Sequence, residues 1–420
     1  MQQSSSVPPS RDEEAPLRMY FIPFPTPGHA LPMSDLARLF ASRGADATLI
    51  LTRGNAARLG GPVTRAAAKG HRIRIHALTL PADAAGLTGG HESADDLPTR
   101  ADAGPFAAAV DLLAPPFASL LRRHPPDAVV FDGVLPWAAT AAPELAAAVP
   151  RYAFTGTGCF ALSVQRALLA HAPQDSDAEE PFLVPGLPDP VRLTRSRLAE
   201  ATLPGAHSRE FLNRMFDVER ATAGWVVNSF AGLEGRYVDH YERETGNPCS
   251  RWAPVCLVNG DGEDVVQRGR GGEAETAAEA ARVMAWMDAK PARSVVYVCF
   301  GSLTRFPPEQ GGRAGRRPGT LRRQLRSPAR GVRGGAARVR VGSGGGGRWL
   351  VGKEAVAERV RAAVADGGAA AEGGGGRRTG ARAVEDGGSS YLAVGALMED
   401  VRRWRRQESG GQTVPAAALI

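Results

Sequence analysis

Short apolar runs alternate with stretches of helical spacing from Arg18 to about Val258. Residues 19–25 (MYFIPFP), 47–52 (ATLILT), 127–132 (DAVVFD), 151–155 (RYAFT) and 225–229 (WVVNS) read as strands, most of them apolar enough to be buried on both faces. Between them, residues 36–42 carry helical spacing, and Ala- or Leu-rich helices are expected after Asp132 and after Thr155. A further helix is expected from the end of the fifth run to about Tyr241. Strand–helix alternation at this spacing predicts an α/β fold, a parallel sheet covered by helices on both faces. Residues 260–275 form a Gly- and charge-rich linker, 277–289 are helical, and 294–300 (SVVYVCF) are a buried strand that opens a second α/β unit.

The pattern then breaks. Residues 311–348 hold Gly, Arg, Ala and Pro in irregular order, with almost no apolar period, and 342–347 are nearly all glycine. Such a segment cannot bury enough apolar surface to offset its ordering entropy, so no folded core is expected there. An amphipathic helix returns at 351–365 (VGKEAVAERVRAAVA), and a last helix is expected near 391–404 after a second Gly-rich break. The partition expected is a disordered leader over 1–17, a first domain over 18–258 and a linker over 259–276. The start of a second domain follows over 277–310, then an Arg/Gly-rich segment over 311–350, and C-terminal helices and a tail over 351–420.

Charge changes this picture only locally. The formal net charge is +7, but eleven arginines and no acid fall within 311–348, which leaves about −4 for the rest of the chain. The basic stretch could serve as a nucleic-acid-binding arm, yet no aromatic residue is interleaved with its arginines for base stacking. A filter-binding assay with mixed RNA at several salt concentrations tests that reading. The four cysteines (Cys159, Cys249, Cys256, Cys299) are scattered without metal-ligand spacing, which suits free thiols in a reducing compartment and gives no metal site. No apolar run in the sequence has the length of a membrane span, and the polar first segment lacks the core of a signal peptide, so a cytoplasmic protein is expected.

Two residues stand where open α/β sheets bind ligands. His29 follows the first strand within PTPGHALPM, beside a helix start marked by Pro and Gly. A histidine there can accept a proton near neutral pH, although a plain surface-loop histidine fits the same pattern. Asp132 ends the DAVVFD strand and could reach His29 across the crevice, fixing its tautomer, or could simply cap the next helix. The stretch 347–354 (GRWLVGKE) nearly matches a phosphate-binding loop, but Glu354 stands where Ser or Thr should hold magnesium.

Taken together, PFPTPGHALPM, VVFDGVLPWA, GWVVNSFAGLE and WMDAKPARSVVYVCFGSLTRFPPEQ, in this order, resemble plant family 1 UDP-glycosyltransferases, which decorate small lipophilic molecules. The resemblance implies a GT-B fold, two Rossmann-like domains facing a cleft, here with the C-terminal one incomplete and partly disordered. It implies a UDP-sugar as donor substrate, with no further cofactor and no metal, and a phenolic or flavonoid acceptor. It places the family's catalytic histidine on His29 and the partner aspartate on Asp132. It also places donor-diphosphate contacts on Ser302 and Thr304, while Thr155 and Thr157 fall near where a hydroxyl touches the donor sugar. A monomer with no nucleic-acid partner and no membrane span is expected.

The departure from the family lies in the donor half. The family's donor box opens on Trp-Ala-Pro-Gln, runs through His-Cys-Gly-Trp and closes on an acidic residue and a Gln, and it is not found here. Losing several charge-assisted contacts worth about 1.5–3 kcal/mol each predicts impaired or absent turnover. The remaining alternative is a non-catalytic relative that still binds acceptors. An Arg/Gly/Ala/Pro mixture is what GC-rich coding sequence yields in a shifted frame, and family-like sequence returns at 351–365. A mis-spliced or mis-called gene, or a genuine pseudogene, would produce this pattern, and an uninterrupted transcript encoding residues 310–351 as they stand would exclude the first.

Overall fold

The computed structural model describes residues 15–173, 180–195, 198, 207–252 and 381–409, with a few positions between 282 and 289. Of the helix expected at 277–289 only those few positions are described, Arg282, Ala285, Trp286 and Asp288 being helical, and the strand expected at 294–300, the helix at 351–365 and the Arg/Gly-rich segment lie outside the described residues.

A seven-stranded, fully parallel sheet forms the centre. Strand β1 (Arg18–Ile22) leads into helix α1 (Pro27–Ser42), β2 (Asp46–Thr52) into α2 (Arg53–Ala68), and β3 (Ile73–Leu78) closes one edge. After helices α3 (Ala103–Asp111) and α4 (Ala114–Arg123), β4 (Ala128–Asp132) pairs with β1 on its other side. This reversal of strand order, with β2 on one flank and β4 on the other, opens a crevice at the carboxyl ends of β1 and β4. The short helix α5 (Pro136–Thr140), β5 (Arg151–Thr155) and α6 (Cys159–His171) follow. A two-stranded hairpin, β6 (Phe182–Leu183) and β7 (Arg192–Leu193), is set apart from the main sheet. Helix α7 (His207–Asp217), β8 (Gly224–Val227), α8 (Ala231–Thr245) and β9 (Cys249–Arg251) complete the order β3-β2-β1-β4-β5-β8-β9.

The central strands are apolar throughout because both faces are covered. In β1 and β4, Phe21, Val129, Val130 and Phe131 have no exposed surface. One face packs Tyr20, Ile22, Val129 and Phe131 with Phe106, Phe117 and Leu121 of α3 and α4. The other packs Met19, Phe21, Val130 and Phe154 under Met33, Leu36, Ala37 and Phe40, the 3.6-period stripe of α1. The stretch Ala103–Arg123 is long and apolar enough to cross a membrane by length and composition, with a mean hydropathy of 1.4. It divides at Leu112–Leu113 into α3 and α4, and its Phe106, Val110, Phe117 and Leu121 are core residues.

The Ala-rich helix expected after Asp132 is only five residues long. Pro143 disfavours right-handed helical backbone at the residue before it; Ala142 lies in the left-handed region at φ 51, and Ala141 is extended. The carbonyls released are held by Arg151, whose guanidinium donates to Ala138, Ala139 and Ala142 at 3.1, 2.6 and 3.2 Å. Burial pushes this arginine down to about 10, opposed by the charge of Glu144.

The final helix, α9 (Ser389–Ser409), packs on the first sheet. Val394, Leu397, Met398 and Val401, spaced for one helical face, are buried together with Leu17, Met19, Tyr152 and Trp252. Tyr152 donates its hydroxyl to Asp400 at 2.7 Å, and Arg43 donates to the Tyr391 carbonyl at 2.7 Å while stacking 3.9 Å from that ring's centre.

Candidate functional site

The turn after β1 sets the site. Thr26 precedes α1 in extended conformation, Pro27 starts the helix, and the Thr26 carbonyl accepts from the His29 and Ala30 N–H groups at 3.1 and 2.8 Å. His29 is thus fixed in the first turn of α1, over the crevice between β1 and β4. Register aligns Ile22 with Phe131, which puts Asp132 beside the chain leaving β1.

There the two side chains meet. His29 Nδ1 lies 2.8 Å from Asp132 Oδ2. The imidazole keeps 35% of its side-chain surface in solvent and the carboxylate 2%. An ionised carboxylate only accepts hydrogen bonds, so Nδ1 carries the proton and Nε2 keeps a free lone pair. Asp132 is itself held by backbone donors, the Phe24 N–H at 3.2 Å on Oδ2 and the Val134 N–H at 3.2 Å on Oδ1. The next residue is glycine because there is no room for more: a Cβ at Gly133 would lie 2.7 Å from the Trp225 ring. The Phe24 ring meets the His29 ring edge-on, with centroids 5.7 Å apart.

Burial pushes the His29 pKa down, and the charge and hydrogen bond of Asp132 push it up by more, leaving it above the ordinary 6.5. A folded-state pKa above the unfolded one adds stability that is fully present below pH 6.5 and is lost as pH rises through the folded value. The urea midpoint of the wild type should therefore exceed that of His29→Gln most between about pH 5 and 6.5, and the gap should close at higher pH. A gap that does not change with pH would show that the pairing does not raise this group.

A small, partly open cavity of about 10 Å³, room for roughly one water, lies beside this turn and is lined by Pro23, Pro25, Ile50, Leu113, Leu135 and Trp137, among others. Two polar residues of its lining, Thr52 and Asn55, bond to each other at 3.0 Å and to the Glu92 carbonyl at 2.9 and 3.3 Å. The rest of the lining is apolar except for the Trp137 indole N–H, which is buried without a partner. A part-exposed imidazole nitrogen at the crevice can take a proton from a hydroxyl brought to it.

Of the other expected site residues, Thr155 ends β5, next to β4, and its hydroxyl lies 2.7 Å from that of Thr157, whose N–H it also accepts at 3.1 Å. Ser302 and Thr304 lie outside the described residues. Groups of His, Cys, Asp and Glu that could hold a metal ion are absent among the described residues. Sequence reasoning missed the partners that hold the pair in place, the Phe24 and Val134 amides, because backbone donors leave no residue signature. It also missed the acidic segment 92–96, whose Asp95 and Asp96 bind Arg58 at 3.0 and 2.6 Å.

No family model matches the chain. It is 35% identical over 297 residues to UDP-glucose flavonoid 3-O-glucosyltransferase 7 of Fragaria ananassa, covering 70% of this chain and 59% of that protein. It is 35% identical over 295 residues to anthocyanin 3'-O-beta-glucosyltransferase of Gentiana triflora, covering 69% and 60%. The chain thus spans about three fifths of the length of the curated relatives it matches. Among solved structures, it is similar to Glycyrrhiza uralensis UGT73P12 complexed with glycyrrhetinic acid 3-O-monoglucuronide. The TM-score is 0.75 at 23% identity, over 96% of this chain and 99% of that one. That likeness shows the fold, the GT-B-like α/β architecture expected from the sequence.

Proposed function

We propose a function for this chain from the premise that, over 297 of its residues, it is a relative of the plant UDP-glycosyltransferases. The reading is an inverting, UDP-sugar-dependent O-glycosyltransferase for small lipophilic acceptors such as flavonoids or other phenolics. The observation that carries it is the 2.8 Å pairing of His29 with the buried Asp132 at the crevice. Nε2 takes the proton of an acceptor hydroxyl, and the oxygen attacks the anomeric carbon from the face opposite UDP. The bond from that carbon to the diphosphate breaks, and UDP leaves with the electron pair. Asp132 stabilises the imidazolium so formed. Ser302 and Thr304 would contact the diphosphate. The names of the Fragaria and Gentiana relatives, a flavonoid and an anthocyanin glucosyltransferase, support glucose as donor sugar and a flat phenolic as acceptor.

A second reading rests on the absent donor box: the chain binds acceptors but does not transfer sugar. One experiment separates the two. A flavonol is titrated into the full chain with and without UDP-glucose, following ligand fluorescence and glucoside formation. Binding in the micromolar range is expected. Glucoside formation establishes the transferase, binding without product establishes the acceptor-binding relic, and no binding overturns both.

A further inference from the structure

The turn that carries His29 is not self-supporting. Its Pro25 carbonyl points at a segment from a different part of the chain, residues 92–96, between β3 and α3. The Ala94 N–H donates to that carbonyl at 2.9 Å, and Ser93 Oγ lies 3.2 Å from it. Ser93 has one proton, and the Asp95 carboxylate at 2.5 Å is the stronger claimant, so the backbone bond from Ala94 is the firm tie.

The segment is pinned at its other side to the start of α2. The Glu92 carboxylate accepts from the Gly54 N–H. The Glu92 carbonyl accepts from Thr52 and Asn55, and Arg58 grips Asp95 and Asp96. Ser93 is 1% exposed and Asp95 8%, so their contacts are made away from solvent, while the Arg58–Asp96 pair lies at the surface. Thr52, Asn55 and Pro25 all line the pocket beside His29. The segment therefore bridges two walls of that pocket.

We infer that residues 92–96 are a positioning strap: anchored on α2 through Arg58 and Glu92, they hold Pro25 through the Ala94 amide and so keep His29 within reach of Asp132. The inference rests on the reading of His29 as the proton-accepting group. Ala94 and Arg58 are positioning residues and touch no reacting atom.

The backbone offers a narrow test. Ala94 opens a 3-10 turn (Ala94–Asp96), and Ser93 before it is extended at φ −145, ψ 141. Proline fits the first position of such a turn and requires an extended residue before it, so Ala94→Pro deletes the N–H without forcing the local backbone. Ala94→Gly keeps the N–H. Arg58→Met releases the anchor instead, and Arg74→Met cuts an exposed ion pair with Asp46 as a control.

In the full chain, His29 is titrated by long-range proton–nitrogen NMR, and exchange of the Ala30 amide is followed in parallel. Ala94→Pro should move the His29 midpoint down toward the ordinary imidazole value of 6.5, as the ring spends less time on Asp132. Ala30 exchange should quicken about fivefold, the worth of one hydrogen bond. Arg58→Met should do the same to a smaller extent, while Ala94→Gly and Arg74→Met leave His29 as in the wild type. An unshifted His29 in Ala94→Pro, or in Arg58→Met if the proline variant does not fold, overturns the strap. Failure of the two readings is distinguishable. A shifted His29 in a chain that never transfers sugar keeps the strap and removes the transferase. Sugar transfer with an unshifted His29 does the reverse.

Discussion

Replacing His29 with alanine is expected to lower sugar transfer by a factor of about 10²–10⁴, the usual worth of a positioned general base. The measurement is kcat/KM in a chain whose donor half is completed with the matching part of the Fragaria ananassa relative, so that donor affinity does not limit the comparison. Asp132→Asn should approach the same loss by a different route. An amide can donate to Nδ1, which then becomes the acceptor and leaves the proton on Nε2, the atom that must be free. The wild-type rate should fall on the acid side as His29 takes its proton, with a midpoint above 6.5 because the Asp132 charge outweighs burial. Transfer by His29→Ala within threefold of the wild type would remove the imidazole from the reaction.

How much of this site could be read from residues alone depends on what kind of group does the work. Pattern places His29 and Asp132, since each ends or follows an apolar run and parallel strands gather such ends at one edge, but a surface-loop histidine and a helix-capping aspartate fit the same pattern, and only the family resemblance gave them roles. Their 2.8 Å contact adds what spacing cannot give. The groups that hold them are of another kind. The Phe24 and Val134 amides act through backbone, and any residue supplies those. Asp95 and Asp96 look like a solvated acidic turn until the fold brings Arg58 against them across a sequence gap of more than thirty residues.

The fold divides along similar lines. The runs at 47–52, 127–132 and 151–155 correspond to β2, β4 and β5 within a residue, since strands buried on both faces are apolar without interruption. Edge strands carry no such run. In β3, Arg74 and His76 alternate with Ile73 and Ile75, and β9 is only three residues, Cys249–Arg251. Helix α2 contains Gly60, Gly61 and Pro62, which spell a turn in isolation, and tertiary packing of Leu59, Val63 and Ala66 overrides them. The Ala-rich stretch after Asp132 errs in the opposite direction: helix propensity is high, but Pro143 stops it and Arg151 takes the carbonyls.

Glu219 should be the most costly single residue to remove for stability. Its side chain is 3% exposed. One carboxylate oxygen accepts from Trp225 Nε1 at 2.8 Å and from the Tyr241 hydroxyl, and the other accepts from Arg166. These partners come from β8, α8 and α6, so one carboxylate ties three elements at the β8–β9 edge of the sheet. Burial, followed by the Glu219 charge, holds the Tyr241 hydroxyl well above its ordinary pKa, and it stays a donor throughout the working range. Glu219→Ala leaves the Arg166 charge and two buried donors without their acceptor. Stranding two buried donors and a part-buried charge costs about 3–5 kcal/mol. For a unit of about 250 residues, that lowers Tm by roughly 6–20 °C at about 2–4 °C per kcal/mol. Glu219→Gln keeps an acceptor oxygen and the shape, so its cost should be smaller. Adding Arg166→Met to Glu219→Ala should then recover part of the loss, because the stranded charge goes with it. Additive costs in that cycle, or a Tm within 2 °C of the wild type for Glu219→Ala, would show that the three elements are held by packing alone.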